Sequence, residues 1–201
     1  MRKLIVLTFL SLDGVMQAPG GPEEDESGGF QYGGWSAPFW DDDLAAVMGK
    51  QMEPPFDLLL GRKTYDIFAG AWPELDPESD INSARKYVVT HREIPPDTDV
   101  WKNSVRIDGD VPAEIKKIKA EDGPQIQVHG SSDMIQTLLE HDLVDEFWLK
   151  IYPVTLGAGK RLFGAGAMPA AFALTESQVS PSGVIVANYQ HAGDVQTGSF
   201  G

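Results

Sequence analysis

Asp57-Leu58-Leu59-Leu60-Gly61-Arg62-Lys63-Thr64-Tyr65 is the stretch on which the reading of this chain turns. An apolar run of the buried-strand kind ends in a glycine, and two cations and a hydroxyl follow where a helix begins. The first amides of a helix lack intrahelical partners and carry partial positive charge. Arg62 and Lys63 therefore sit against the dipole, a placement that an anionic ligand would offset. A capped helix start with solvent-facing cations is the plainer reading. The glycine spacing fits neither a Walker loop nor the Rossmann fingerprint.

A second corner of the same kind lies at Gln125-Ile126-Gln127-Val128-His129-Gly130-Ser131-Ser132. Taken alone it is equally well a serine-capped helix after a strand. In an open α/β sheet, however, ligands lie across the carboxyl ends of the strands, where both corners fall. Together they point to a nucleotide cofactor. Thr90, His91 and Arg92, at the end of a further strand, add a hydroxyl and a cation suited to an extra phosphate such as the 2′-phosphate of NADP.

Around these corners, strands alternate with helices until the end of the chain. Strands are expected over Lys3–Leu10, Phe56–Leu60, Lys86–Thr90, Ile126–Val128 and Glu146–Tyr152, with a short one from Val100-Trp101 and Val105–Ile107. Helices are expected after Asp41-Asp42-Asp43, from Thr64 to Phe68 as a short element, over Val111–Ala120 and over Ser132–His141. Ala171–Val179 and Gly183–Gln190 close the chain as a hairpin across Ser180-Pro181-Ser182-Gly183. The pattern predicts an α/β fold with a mostly parallel mixed sheet and an antiparallel edge. One domain is expected over residues 1–191, and a flexible tail over 192–201.

The 201 residues carry a formal net charge of -14, which argues against nucleic acid as a partner. A local group of cations still permits a phosphorylated small molecule. There are no cysteines, so disulfides and thiolate chemistry are excluded and a cytoplasmic location is expected. The apolar start reads as a strand rather than a signal peptide, and no segment has the ~20 apolar residues of a membrane helix. The four histidines lack metal-ligand spacing, so no metal site is expected.

Other positions carry two readings each. Asp13, in Ser11-Leu12-Asp13-Gly14, is either a turn residue or a carboxylate beside a reaction centre. Residues 16–34, rich in glycine and proline, form a long loop of the kind used as lids, and Phe30, Tyr32 and Trp35 give it apolar area to bury. Trp35 and Phe39 are candidates for stacking on a heteroaromatic substrate. In Leu156-Gly157-Ala158-Gly159-Lys160-Arg161-Leu162-Phe163 the two cations either hold a substrate phosphate or face solvent.

These segments, in this order, resemble the dihydrofolate reductase-like superfamily, and within it the riboflavin-biosynthesis reductase (RibD C-terminal) domain. The resemblance rests on Ser11–Gly14, Leu58–Tyr65, Lys86–Thr90, His129–Ser132 and Pro153–Phe163. It implies a three-layer fold with about eight strands, NADPH as hydride donor and a homodimer. It also implies that Gly61, Arg62, Lys63 and Thr64 contact cofactor phosphates, that Thr90, His91 and Arg92 lie near the 2′-phosphate, and that Gly130, Ser131, Ser132 and Asp133 hold the pyrophosphate. The expected reaction is hydride transfer to C1′ of a 5-amino-6-(5-phosphoribosylamino)uracil-like substrate, with Asp13 and Trp35 at the reacting centre and Phe39, Lys160 and Arg161 on the substrate. Reduction of a pterin-like imine is the alternative, as is a non-catalytic nucleotide sensor. Asp41, Asp42 and Asp43 lie near where dihydrofolate reductases place their pterin-binding acid.

Overall fold

The computed structural model describes residues 1–94, 101–164 and 168–200. The first apolar run forms β1 (Leu4–Ser11), buried along nearly its whole length. It lies inside the sheet, parallel to β5 (Gln125–His129) on one side and β6 (Glu146–Tyr152) on the other. β2 (Phe56–Gly61), β3 (Lys86–Val89) and β4 (Ser104–Ile107) extend the parallel part. β7 (Phe172–Val179) and β8 (Ile185–His191) form the closing hairpin, with β8 antiparallel to β6. The strand order is β4-β3-β2-β5-β1-β6-β8-β7. The expected mixed sheet of eight strands with an antiparallel C-terminal edge is therefore present.

Helices cover both faces, as parallel strands require. On one face, α4 (Val111–Ala120) and α5 (Ser132–Glu140) bring Ile115, Met134, Ile135 and Leu138 onto Leu4, Val6, Val128, Phe147 and Leu149. On the other face lie α1 (Asp42–Gln51) and α2 (Arg62–Leu75), and here the apolar side chains form two separate clusters. One gathers Trp35, Leu44, Tyr152 and Val186, with Phe9 and Phe39 against it. The other gathers Leu58, Leu60, Tyr65, Ile81, Val88 and Trp101, with Met52, Phe68 and Trp72 against it. The gap between the clusters is where the site lies.

Several expectations change. The helix beginning at Thr64 is not short: α2 starts at Arg62 and runs for 14 residues, through Pro73. Trp101 belongs to no strand; its indole packs edge-on against Tyr65 at 5.2 Å and donates to Asn82 Oδ1 at 2.9 Å. Val100 lies outside the described residues. Asp41, the acid before α1, serves the fold. Asp41 caps the helix through the Leu44 amide (2.8 Å) and accepts the Ser182 amide (3.0 Å), tying α1 to the hairpin turn. α3 (Asp80–Ser83) is a single turn before β3.

The long glycine-rich loop is folded on itself. Gln17 bonds the Asp25 and Ser27 carbonyls at 3.0 and 2.9 Å, and the Trp35 indole donates to the Gln17 carbonyl at 2.7 Å. Glu24 accepts the amides of Gly20 and Gly21. The buried rings of Phe30 and Trp35 supply its apolar interior.

Candidate active site

The two glycine corners are joined to each other. β2 and β5 are adjacent and parallel, so Gly61 and Gly130 arrive at the same edge of the sheet. Ser131 Oγ accepts the Gly61 amide and donates to Thr64 Oγ1, both at 2.8 Å. The approach is close: a Cβ at Gly61 would lie 3.3 Å from Ser131 Cβ and Oγ. Gly130 and Ser131 both have positive φ, 64° and 62°, which turns the chain sharply into α5. Among the described residues, no side chain caps the first amides of α2 or α5. Two helix starts with unspent donors thus face one place, a donor set that fits the phosphates of a dinucleotide.

These corners open onto a cavity of about 600 Å³. Gly61, Arg62, Lys63, Thr64, Gly130, Ser131, Ser132 and Asp133 all line it, as does Lys160. Its floor is β1, β5 and β6, through Leu7, Phe9, His129 and Lys150; Met48 of α1, Met52 at the end of that helix, and Phe68 and Trp72 of α2 also line it. One end therefore offers amides and cations, and the other an apolar and aromatic slot.

Asp25 sits between these parts. Its carboxylate takes Lys63 from the first corner and, at 3.0 Å, Lys160 from the loop after β6. Burial pushes this carboxyl up, but hydrogen bonds from Lys63, Ser27 and Lys160 together outweigh it and hold the group below the usual carboxylate range. Lys63 and Lys160, expected on two different phosphates, share one carboxylate.

Two floor residues were not anticipated as site groups. Lys150 is fully buried, and among the described residues its ammonium has no hydrogen-bond partner. Burial drives its amine down to about 7. His129 bonds Gln127 Oε1 at 3.0 Å. Desolvation, and then the Lys150 charge, push its imidazole down to about 3, so it stays neutral in ordinary buffers. The missed signal was Lys150 itself, a cation within the run Phe147-Trp148-Leu149-Lys150-Ile151.

Other expected residues lie elsewhere. Asp13 does not line the cavity: its carboxylate accepts Ser11 Oγ (2.6 Å) and the amides of Leu156 (3.1 Å) and Gly157 (2.8 Å). The Ser11 bond leads in holding it at about 2. Arg161 is also outside the lining and bonds the carbonyls of Asp13 and Gly157. Trp35 and Phe39 pack edge-on against Tyr152, at 5.2 and 5.8 Å, within the core rather than on the cavity wall. Thr90, His91 and Arg92 stand just beyond Val89, which does line the cavity. His91 pairs with Asp108 at 2.6 Å, and Arg92 with Asp66 at 3.6 Å. None of Asp41, Asp42 and Asp43 lines the cavity.

The eight-stranded topology is that of the dihydrofolate reductase-like fold. Residues 2–186 match the RibD C-terminal domain, and the chain belongs to that family. It is 32% identical over 113 residues to the uncharacterized protein YyaP of Bacillus subtilis, covering 53% of this chain and 58% of YyaP. It is 26% identical over 164 residues to YwjB of the same organism, also uncharacterized, covering 81% and 83% of the two chains. The chain thus aligns with little more than half the length of YyaP.

Among solved structures it is similar to a putative riboflavin biosynthesis protein from Shewanella, with a TM-score of 0.65 and 21% identity, covering 94% of this chain and 99% of the other. A dihydrofolate reductase from Enterococcus faecalis, complexed with NADP(H) and RAB-propyl, gives 0.58 at 13% identity, covering 94% and 96%. At such identities these likenesses show the fold.

Proposed function

We propose that this protein is an NADPH-dependent reductase whose acceptor is a small heteroaromatic or imine-containing molecule, of the ribosylaminopyrimidine kind used in riboflavin biosynthesis. The observation that carries the reading is the bonded pair of glycine corners at one end of a cavity whose other end is apolar. Family membership and the fold support it.

The residues divide the work by position. The α2 and α5 amides, with Lys63 and Thr64, would hold the cofactor phosphates, and Arg62 would support the adenosine end. Bound there, NADPH would supply the hydride. Phe9, Met48, Met52, Phe68 and Trp72 would orient a flat acceptor against the floor of the cavity and keep water from it. The loop carrying Asp25, tied by that carboxylate to Lys160 of the loop after β6, would lie over the mouth. We further propose a homodimer, supported by Leu174, Val179 and Ile185, which are large, apolar and exposed on the terminal hairpin.

Calorimetric titration with NADPH tests the reading first. Saturable binding, followed by loss of reduced-nicotinamide absorbance with a ribosylaminopyrimidine, is the expected result. Binding without turnover on pyrimidine and pterin acceptors would leave a nucleotide sensor. No binding would end the reductase reading. Light scattering tests the dimer separately.

A further inference from the structure

We propose that Lys150 is the polar anchor at the inner end of the cavity and that this end receives a ligand presenting an acidic oxygen, as a carboxylate, a phenolate or the enolate of a lactam. Only the statement that this ligand is the acceptor rests on the reductase reading.

Lys150 lies inside β6, in register with Phe9 of β1 and Val186 of β8. Its backbone is fixed by both neighbours, and its side chain is fully buried yet lines the cavity. An amine in that position loses its water and gains nothing in return, unless a ligand supplies the acceptor. An anionic oxygen does so best, because it also restores the charged form that burial disfavours.

The surrounding groups leave that place open to a ligand. β1 and β8 offer Phe9 and Val186, and α1 and its C-terminal end offer Met48 and Met52. β5 contributes His129, neutral and bonded to Gln127. Of the loop carboxylates on the lining, Asp25 is held by Lys63 and Lys160, and Glu24 by the amides of Gly20 and Gly21. Asp133 lies at the start of α5, where Ser132 and the second glycine corner also meet the cavity. Lys160 is paired with Asp25. Burial brings the Lys150 amine close to neutrality, so an acidic ligand meets a group that can take up its proton.

4-Nitrophenol is the probe, because its ionised form absorbs where the phenol does not. At about pH 6, where a free Lys and an amine shifted this far are both protonated, the wild type is expected to bind it with a phenolate band. Lys150→Met is expected to lose the band and bind roughly tenfold more weakly. The uncharged isostere 4-nitroanisole should bind both proteins alike. Nitrogen-15 NMR of the lysine amines, assigned with the same variant, should show one amine titrating near neutrality and moving upward with nitrophenol. Absence of the band in the wild type, its survival in Lys150→Met, or an amine that titrates in the ordinary lysine range would each overturn the proposal. NADPH titrated into the same samples separates the two readings. Nitrophenolate binding without NADPH binding would remove the reductase and keep the anion site; the opposite pattern would do the reverse.

Discussion

Ser131 Oγ and the Gly61 amide are 2.8 Å apart although 70 positions separate them in the chain. That bond, extended to Thr64, makes one site from two strand ends. Ser131→Gly isolates the hydroxyl, since glycine accepts the left-handed conformation at φ 62° without strain. The Gly61 amide then loses its partner. Stability should fall by about 1–3 kcal/mol, and NADPH affinity by roughly tenfold, read by urea unfolding and calorimetry. Unchanged affinity in a folded variant would show that the corners act independently.

The corners were legible because each consists of contiguous residues: an apolar strand, a glycine and a polar helix start. Their mutual bond was not, since it depends on β2 and β5 being neighbours. The strand order itself shows only as an alternation of elements. Trp35, Phe39, Asp13 and Arg161 carry side chains suited to a site, but residue type does not say which way a loop turns. In the fold, the two rings meet Tyr152, and the two charges meet each other's loop. Lys150 is hard to recognise in the sequence for a related reason. Glu146, Trp148 and Lys150 alternate with Phe147, Leu149 and Ile151, which reads as a strand wet on one side. Helix α1 and the loop before it close that side.

Asp25 stands where an arriving phosphate would compete for Lys63. Asp25→Asn should therefore tighten NADPH binding by roughly three- to tenfold and make it more sensitive to salt. Calorimetry at two ionic strengths gives both quantities. Weaker binding would mean that the carboxylate holds the two lysines in place for the ligand.

Asp13 binds the loop after β6 to the turn after β1. Its carboxyl sits at about 2 in the fold against 3.8 ordinarily, so its contribution to stability is complete above 3.8 and is lost as pH falls toward 2. Asp13→Asn should lower stability at neutral pH by about 1–3 kcal/mol and leave kcat within about twofold of the wild type. A loss of kcat of a hundredfold or so, with thermal stability intact, would return Asp13 to the reacting centre.

Lys150 works against the fold that contains it. Its amine titrates at about 7 in the folded protein and at 10.5 in the unfolded chain. Between those values the unfolded chain binds more protons, so stability rises with pH. Below about 7 both states are charged and the folded protein carries the whole penalty, on the order of 5 kcal/mol at 1.36 kcal/mol per unit. Lys150→Met removes the amine and keeps most of its volume among Phe9, Val186 and Met48. The variant should be several kcal/mol more stable than the wild type at about pH 6, and the gain should shrink toward zero near pH 10. Urea unfolding of both proteins across that range measures the difference directly. A difference that does not change with pH would mean that the Lys150 amine titrates alike in the folded and unfolded chains, so that its burial is compensated.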